Sequence, residues 1–272
     1  MSDPTLTPQA RHQGWRQRRL AELTAADGWP GLIGLFWLEP GANVVGWGED
    51  CTVRLPAEVA EAANLGVIEW SGETVESVRW RPREGDPQTL LIDAKGAPTT
   101  VAWGDYRFTV IARDGRLAVR LRDLAWQARR PFPGIDCFDY DPAWRIEARW
   151  ETLAESLTME VPTVTGELKS VQVGYRAVFE IQGQTLALLP MEVTGESVFF
   201  VFRDGSSGRL TYGAGRFLRT AAPEHGRLVL DFNRAYNPPC AFTPFATCPL
   251  PPPENWLPLA ILAGEKKFQG DH

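Results

Sequence analysis

Histidine is scarce in this chain, and its scarcity narrows the chemistry. There are three, His12, His225 and His272; two lie near the termini and the third falls in a turn-like stretch, AAPEHGR. This argues against a histidine-based metal centre and against a Ser-His-Asp triad, leaving His225 as the one base of that kind to consider. No apolar run approaches the ~20 residues that a membrane-spanning helix needs. The N-terminal MSDPTLTPQARHQGWRQRR has no apolar secretion core, so a cytoplasmic protein with no membrane partner is expected. Positive charge is also short: a net charge of −6 works against nucleic acid as a partner, because neutralising phosphates takes clustered cations. The one basic cluster, Arg16, Arg18 and Arg19, reads as the solvated face of a helix. Four cysteines, Cys51, Cys137, Cys240 and Cys248, supply neither a disulfide framework nor a C-x₂₋₄-C zinc pattern.

Tryptophan and proline, by contrast, are plentiful, with 11 and 22 in 272 residues, as in a strand-and-turn protein with many fixed bends. The first segment predicts a helix: Thr7 caps it, Pro8 suits its first turn, and Trp15, Leu20 and Leu23 offer an apolar stripe. GLIGLFWLEPGANVVG then reads as buried strand and turn. From about residue 51 onward, CTVRLP, GVIEW, ESVRWR and QTLLID are short runs rich in β-branched and aromatic residues. YRFTVIARDGRLAVRLRD predicts a hairpin turning at Asp114-Gly115, because Tyr106, Phe108 and Val110, then Leu117, Val119 and Leu121, alternate with polar residues. WRIEARWE alternates likewise. A second hairpin is expected to turn at Gln182-Gly183 and a third at Gly205 to Gly208.

Such spacing predicts a mainly β fold: an antiparallel β-sandwich or distorted barrel with an N-terminal helix. We expect one domain over residues 1–272. It comprises the helix (1–27), a β-rich body (28–230), and a proline-rich segment with a final strand (231–272). The longest irregular stretch, 122–145, reads as a packed loop or as a divide between subdomains.

The densest polar chemistry lies in DFNRAYNPPCAFTPFATCPLPPPENW, residues 231–256. Alternation puts Val229, Asp231 and Asn233 on one strand face, opposite Leu228, Leu230 and Phe232. Gly213 and Gly215, beside Arg216, leave room for a bulge or for close approach of a ligand or backbone. An Arg216 held near Asp231 would neutralise it, and its planar fork would grip a carboxylate or phosphate. The plainer alternative is an ion pair, with Asn237 and Asn255 fastening turns and Tyr236 packing through its ring. Cys240, made rigid by two prolines, is either a nucleophile or redox centre or a small buried hydrophobe; a pairing with Cys248 across seven intervening residues is geometrically open but would be unusual in a reducing compartment. GSSG, 205–208, lacks the lysine and helix of a phosphate loop and reads as a turn. Asp204, just before it, caps that turn or adds a carboxylate; Arg120 and Asp123 form a second polar pair. A magnesium or calcium site from Asp204, Asp231 and Glu265 has no spaced ligand motif behind it.

FRDGSSGRLTYGAGRFL, DFNRAYNPPCAFTPFATCPLPPPENWLPLAI and AGEKK resemble the C-terminal signature of a bacterial family, domain of unknown function 1684. GLFWLEPGANVVG is similar to its opening motif. The resemblance implies a bacterial, β-rich, single-domain protein and assigns no activity. Gly205 stands where the family often has Thr. The matching positions are Asp204, Thr211, Tyr212, Arg216, Asp231, Asn233, Tyr236, Asn237, Cys240 and Glu265.

The leading expectation is a pocket for a small polar or anionic metabolite, with Arg216 as anchor and Asn233 and Tyr236 donating hydrogen bonds. Asp231 would orient Arg216 or act as general base, in hydrolysis or isomerisation without a transition metal. The alternatives are a non-catalytic structural or protein-interaction module and a thiol-dependent activity at Cys240. The residues name no cofactor and no oligomeric state.

Overall fold

The computed structural model describes residues 6–56, 64–74, 78–113 and 115–270. Glu76, Ser77, Asp114 and His272, named above, lie outside them. Helix α1 spans Pro8–Thr24, and Thr7 Oγ1 caps it by accepting the Ala10 amide at 3.2 Å. The chain then gathers into two compact units. One is continuous, Thr24–Phe132; the other combines Met1–Leu23 with Pro133–His272.

The continuous unit holds β1 (Leu32–Trp37), β2 (Gly41–Gly46), β3 (Val53–Arg54), β4 (Asn64–Trp70), β5 (Val78–Pro82), β6 (Gln88–Thr89), β7 (Val101–Trp103), β8 (Tyr106–Arg113) and β9 (Arg116–Asp123), then the short helix α2 (Trp126–Arg129). They form two sheets, ordered β1-β9-β8-β7 and β3-β2-β4-β5-β6. Among their described residues only the short β2–β3 pairing is parallel. The alternation expected in β8 and β9 holds: Phe108, Val110, Leu117, Val119 and Leu121 are buried, and they meet Val45, Ile68, Val78 and Trp80 of the other sheet in one apolar cluster.

The discontinuous unit adds β10 (Arg145–Pro162), β11 (Leu168–Ile181), β12 (Gln184–Leu188), β13 (Glu192–Val193), β14 (Ser197–Phe202), β15 (Arg216–Ala221) and β16 (Arg227–Asp231). Its sheets run β12-β11-β10-β16 and β13-β14-β15. Phe179, Phe200, Phe202, Leu218, Leu230 and Phe232 fill the space between them. Each large side chain so buried contributes about 1.5–3 kcal/mol. Each unit is thus sandwich-like and neither closes into a barrel, which decides between the two expected β architectures.

The Gln182-Gly183 hairpin is present, with φ of 49° and 74°, as a two-residue primed turn requires. His225 is exposed in the turn between β15 and β16. Two expectations fail. β14 and β15 do pair, but residues 203–215 between them form a long loop, and GSSG is only one turn within it. No regular strand follows β16 among the described residues: Phe232–Arg234 is a 3₁₀ turn, and the segment beyond makes isolated bridges such as Arg203 with Trp256 and Cys137 with Glu265. Proline explains this, since it donates no hydrogen bond to a ladder. Among the described residues no helix is long and apolar enough to cross a membrane.

Candidate functional site

The expected pairing of Arg216 with Asp231 is wrong. Arg216 leaves β15 into the interior with no exposed surface and bonds Asp204 Oδ2 at 2.9 Å; the Asp204 side chain is 1% exposed. Arg216 Nη2 also donates to the Ile261 carbonyl at 2.9 Å. Nη1 donates to the carbonyls of Ala263 and Glu265. Asp204 Oδ1 accepts the amides of Ser206, 2.7 Å, and Ile261, 3.2 Å, and Ser206 Oγ meets Thr211 Oγ1 at 2.8 Å. Arg216 does not take the carboxylate that strand alternation puts nearest to it. The loop before β15 delivers Asp204 instead. Burial pulls the Arg216 pKa down while Asp204 opposes it. This cluster clamps the C-terminal coil onto the sheet.

Asp231 and Asn233 form a separate group. Asn233 Nδ2 donates to Asp231 Oδ1 and to the Asp141 carbonyl, and Asn233 Oδ1 accepts the Asp141 amide, all at 3.0 Å. The cation beside Asp231 is Arg234, at 3.4 Å. His12 packs nearby on Tyr140, ring centroids 5.3 Å apart. Burial lowers its pKa against the opposing charge of Asp231, so it is held neutral. A third group joins Tyr212, whose hydroxyl donates to the Cys240 carbonyl at 2.9 Å, to Cys248, whose Sγ accepts the Cys240 amide at 3.2 Å.

The fourth group is the one beside open space. Residues 136–138 run antiparallel to 264–266: Phe138 donates its amide to the Gly264 carbonyl at 2.9 Å and Lys266 to Asp136 at 2.8 Å. This sets Glu265, whose side chain is 1% exposed, against Arg19 of α1, Nε to Oε1 at 3.0 Å. Glu265 Oε2 accepts the Asn237 amide at 2.7 Å, and Arg19 Nη2 donates to the Asn237 carbonyl at 2.9 Å. Asn237 Nδ2 donates to the Lys266 carbonyl at 2.8 Å. The Arg19 guanidinium lies over the rings of Tyr236, 4.8 Å, and Phe242, 5.7 Å. Arg19 therefore departs from the solvated face expected for the cluster, while Arg16 and Arg18 are exposed. Burial raises the Glu265 pKa, with Arg19, the Asn237 amide and Arg216 pulling it back.

Between α1 and residues 134–137 lies a cavity of about 410 Å³, walled by Trp15, Leu20, Leu23 and Ile135, with Arg19, Cys137 and Glu265 also lining it and Arg16 at its side. Arg16 has no ion pair among the described residues. Burial pushes the Cys137 thiol up to about 11, so it is protonated near neutral pH. Of the ten residues expected to form the site, Glu265 alone lines this cavity. Arg16, Arg19 and Cys137 were not foreseen. The available signal was helical: His12, Trp15, Arg19 and Leu23 share one stripe, and two basic residues in it mark a face that meets buried acid.

Among the described residues no cluster of three or more His, Cys, Asp or Glu side chains could hold a metal ion. Asp204 and Asp231, offered above with Glu265 for such a site, are committed to Arg216 and Arg234 in different groups. Arg120 and Asp123 belong to the continuous unit, where Asp123 accepts the Ala125 amide at 2.9 Å and pairs with Arg129.

The family model described as "Protein of unknown function (DUF1684)" matches residues 130–266, half of the chain. The chain belongs to this family. The matched DUF1684 region contains the Arg216 clamp, the dithiol group and the cavity floor at Glu265. Helix α1, which supplies one cavity wall, precedes it. No curated protein matches the chain. Among solved structures, an uncharacterized protein of Haloarcula marismortui, determined in solution by NMR, is 29% identical. The match covers 50% of this chain and 77% of that one, with a TM-score of 0.41.

Proposed function

We propose that the discontinuous unit binds a small anionic molecule with an apolar body in the cavity between α1 and residues 134–137. The observation that carries this reading is the cavity's composition. Apolar walls of Trp15, Leu20, Leu23 and Ile135 meet a polar floor in which Glu265 is already neutralised by Arg19, and Arg16 stands by as an uncommitted cation. Ligand pockets commonly combine mostly apolar walls with a few placed polar groups. With Glu265 balanced, the surplus charge is positive, so an anion suits the site, and Arg16 offers it a planar fork.

The arrangement favours binding over chemistry. Both Glu265 oxygens already accept strong hydrogen bonds, which leaves a poor general base. Cys137 is held as a thiol, and the thiolate is the nucleophile.

Thermal melting against a panel of small carboxylates and phosphates tests the proposal. A ligand at 100 times its Kd stabilises the native state by about 2.7 kcal/mol, a rise of several degrees in Tm. Arg16→Ala, at an exposed position, should keep the ligand-free Tm and lose that rise. A panel that shifts neither protein, or a rise that survives in Arg16→Ala, overturns it. The second reading is a non-catalytic structural or interaction module. Asn255 favours it: its side chain bonds both the amide and carbonyl of Leu189 and the carbonyl of Val201, at 2.8–2.9 Å, so a polar signature residue is spent on fastening the coil. A null panel leaves that reading standing.

A further inference from the structure

The group at Cys240 carries chemistry that the cavity does not use. Cys240 sits in a 3₁₀ turn, Pro239–Ala241, entered from Pro238 at φ −65° and ψ 162°. Its main chain is pinned by the Tyr212 hydroxyl on its carbonyl, 2.9 Å. Cys248 is pinned as well: its carbonyl accepts the Val164 amide at 3.0 Å, and the Leu250 amide two residues on bonds the Pro162 carbonyl at 2.7 Å. The two fixed segments bring Cys248 Sγ to 3.2 Å from the Cys240 amide nitrogen. A Cys240 Sγ is three bonds from that nitrogen, so rotation about χ1 sweeps it through the space beside Cys248 Sγ. Both cysteines are reduced and buried.

We propose that Cys240 and Cys248 form a reversible dithiol–disulfide couple oxidised by small hydroperoxides. The Cys240 thiolate attacks the outer oxygen of the hydroperoxide; the O–O bond breaks, and the alkoxide or hydroxide released takes up a proton. This leaves a sulfenic acid on Cys240. Cys248 sulfur then attacks the Cys240 sulfur; the S–O bond breaks, and the oxygen leaves as water with the Cys248 proton. Two thiols and one hydroperoxide become one disulfide, one alcohol or water, and one water, with two electrons passing to the peroxide.

The order follows from the surroundings. The hydrogen bond from the Cys248 side chain lowers the Cys240 pKa, burial opposes it, and the Tyr212 hydroxyl adds to the lowering. Thiolate character governs which cysteine is oxidised first. The burial of both, 8% and 4% exposed, favours a small oxidant such as hydrogen peroxide over bulky disulfide reagents. Cys51 and Cys137, whose thiols burial pushes up, serve as internal controls. The couple stands or falls independently of the cavity.

Treatment of the native full-length chain with hydrogen peroxide, then alkylation after denaturation and peptide mass spectrometry, tests it. The expected result is a mass loss of about 2 Da, a fall from four titratable thiols to two, a cross-linked peptide joining residues 240 and 248, and full reversal by dithiothreitol. In Cys248→Ser, a dimedone adduct should collect on Cys240. The proposal is overturned if Cys240 and Cys248 stay alkylatable at a peroxide dose that oxidises Cys51 or Cys137, or if they pass to sulfinic acids without the cross-link. Should Cys248→Ser fail to fold, the wild-type peptide map decides alone.

Discussion

Two buried arginine–carboxylate pairs lie within one unit, and they do different things. Arg216 with Asp204 is closed off, 0% and 1% exposed, and bonds main-chain carbonyls of the C-terminal coil. Arg19 with Glu265, 13% and 1% exposed, borders a cavity and stacks on aromatic rings. Charge and burial alone would rank the first as the better functional site. The difference teaches that a desolvated ion pair marks function only where space for another molecule adjoins it; elsewhere it is a fastening.

The comparison breaks most sharply at Arg216. Arg216→Met removes one partner of a buried pair and orphans carbonyls at Ile261, Ala263 and Glu265, so a loss of about 3–5 kcal/mol is expected from urea unfolding. A variant within about 1 kcal/mol of wild type would refute the clamp. Glu265→Gln should cost less, about 1–2 kcal/mol, because the Arg19 head it abandons borders open space and can be hydrated. Equal losses at the two pairs would erase the distinction.

The same variant reads out a pH effect. Burial holds the Glu265 pKa above its ordinary 4.5, so between 4.5 and the folded value the native state binds more protons than the unfolded chain. Its contribution to stability therefore falls as pH rises through that window and recovers on acidification. Wild type should gain on Glu265→Gln as the pH drops towards 4.5; a flat difference in urea midpoints between pH 4.5 and 7 would contradict this. The smallest effect belongs to the surface pair Arg227 with Glu147, 61% and 58% exposed. Arg227→Ala should change stability by under about 0.5 kcal/mol, and a loss rivalling that of Glu265→Gln would make exposure irrelevant to the ranking.

Much of the fold could be read from neighbouring residues. The alternation in β8 and β9 and the Gln182-Gly183 turn are local patterns with local causes, and they formed as expected. RRPFPG lies inside the irregular stretch 122–145, and the boundary between units falls there, after Phe132. The companion boundary at Leu23 left no mark, because α1 continues through it. The site was read less well for the same reason. That the segment 231–265 is polar and committed was visible; which cation serves which carboxylate was not. Arg216 lies near Asp231 by strand order yet chose Asp204, and Arg19 meets Glu265 across 246 positions. Partner choice at that distance is a property of packing, which no local window of sequence contains.

That separation has a consequence for how the molecule is made. A ribosome releases α1 before all of the continuous unit, and the stretch carrying Glu265 only after it. Until that stretch emerges Arg19 waits without its carboxylate, while the intervening sandwich has every strand it needs to fold. The discontinuous unit is therefore completed after the continuous one, and α1 docks only once the coil carrying Glu265 has emerged.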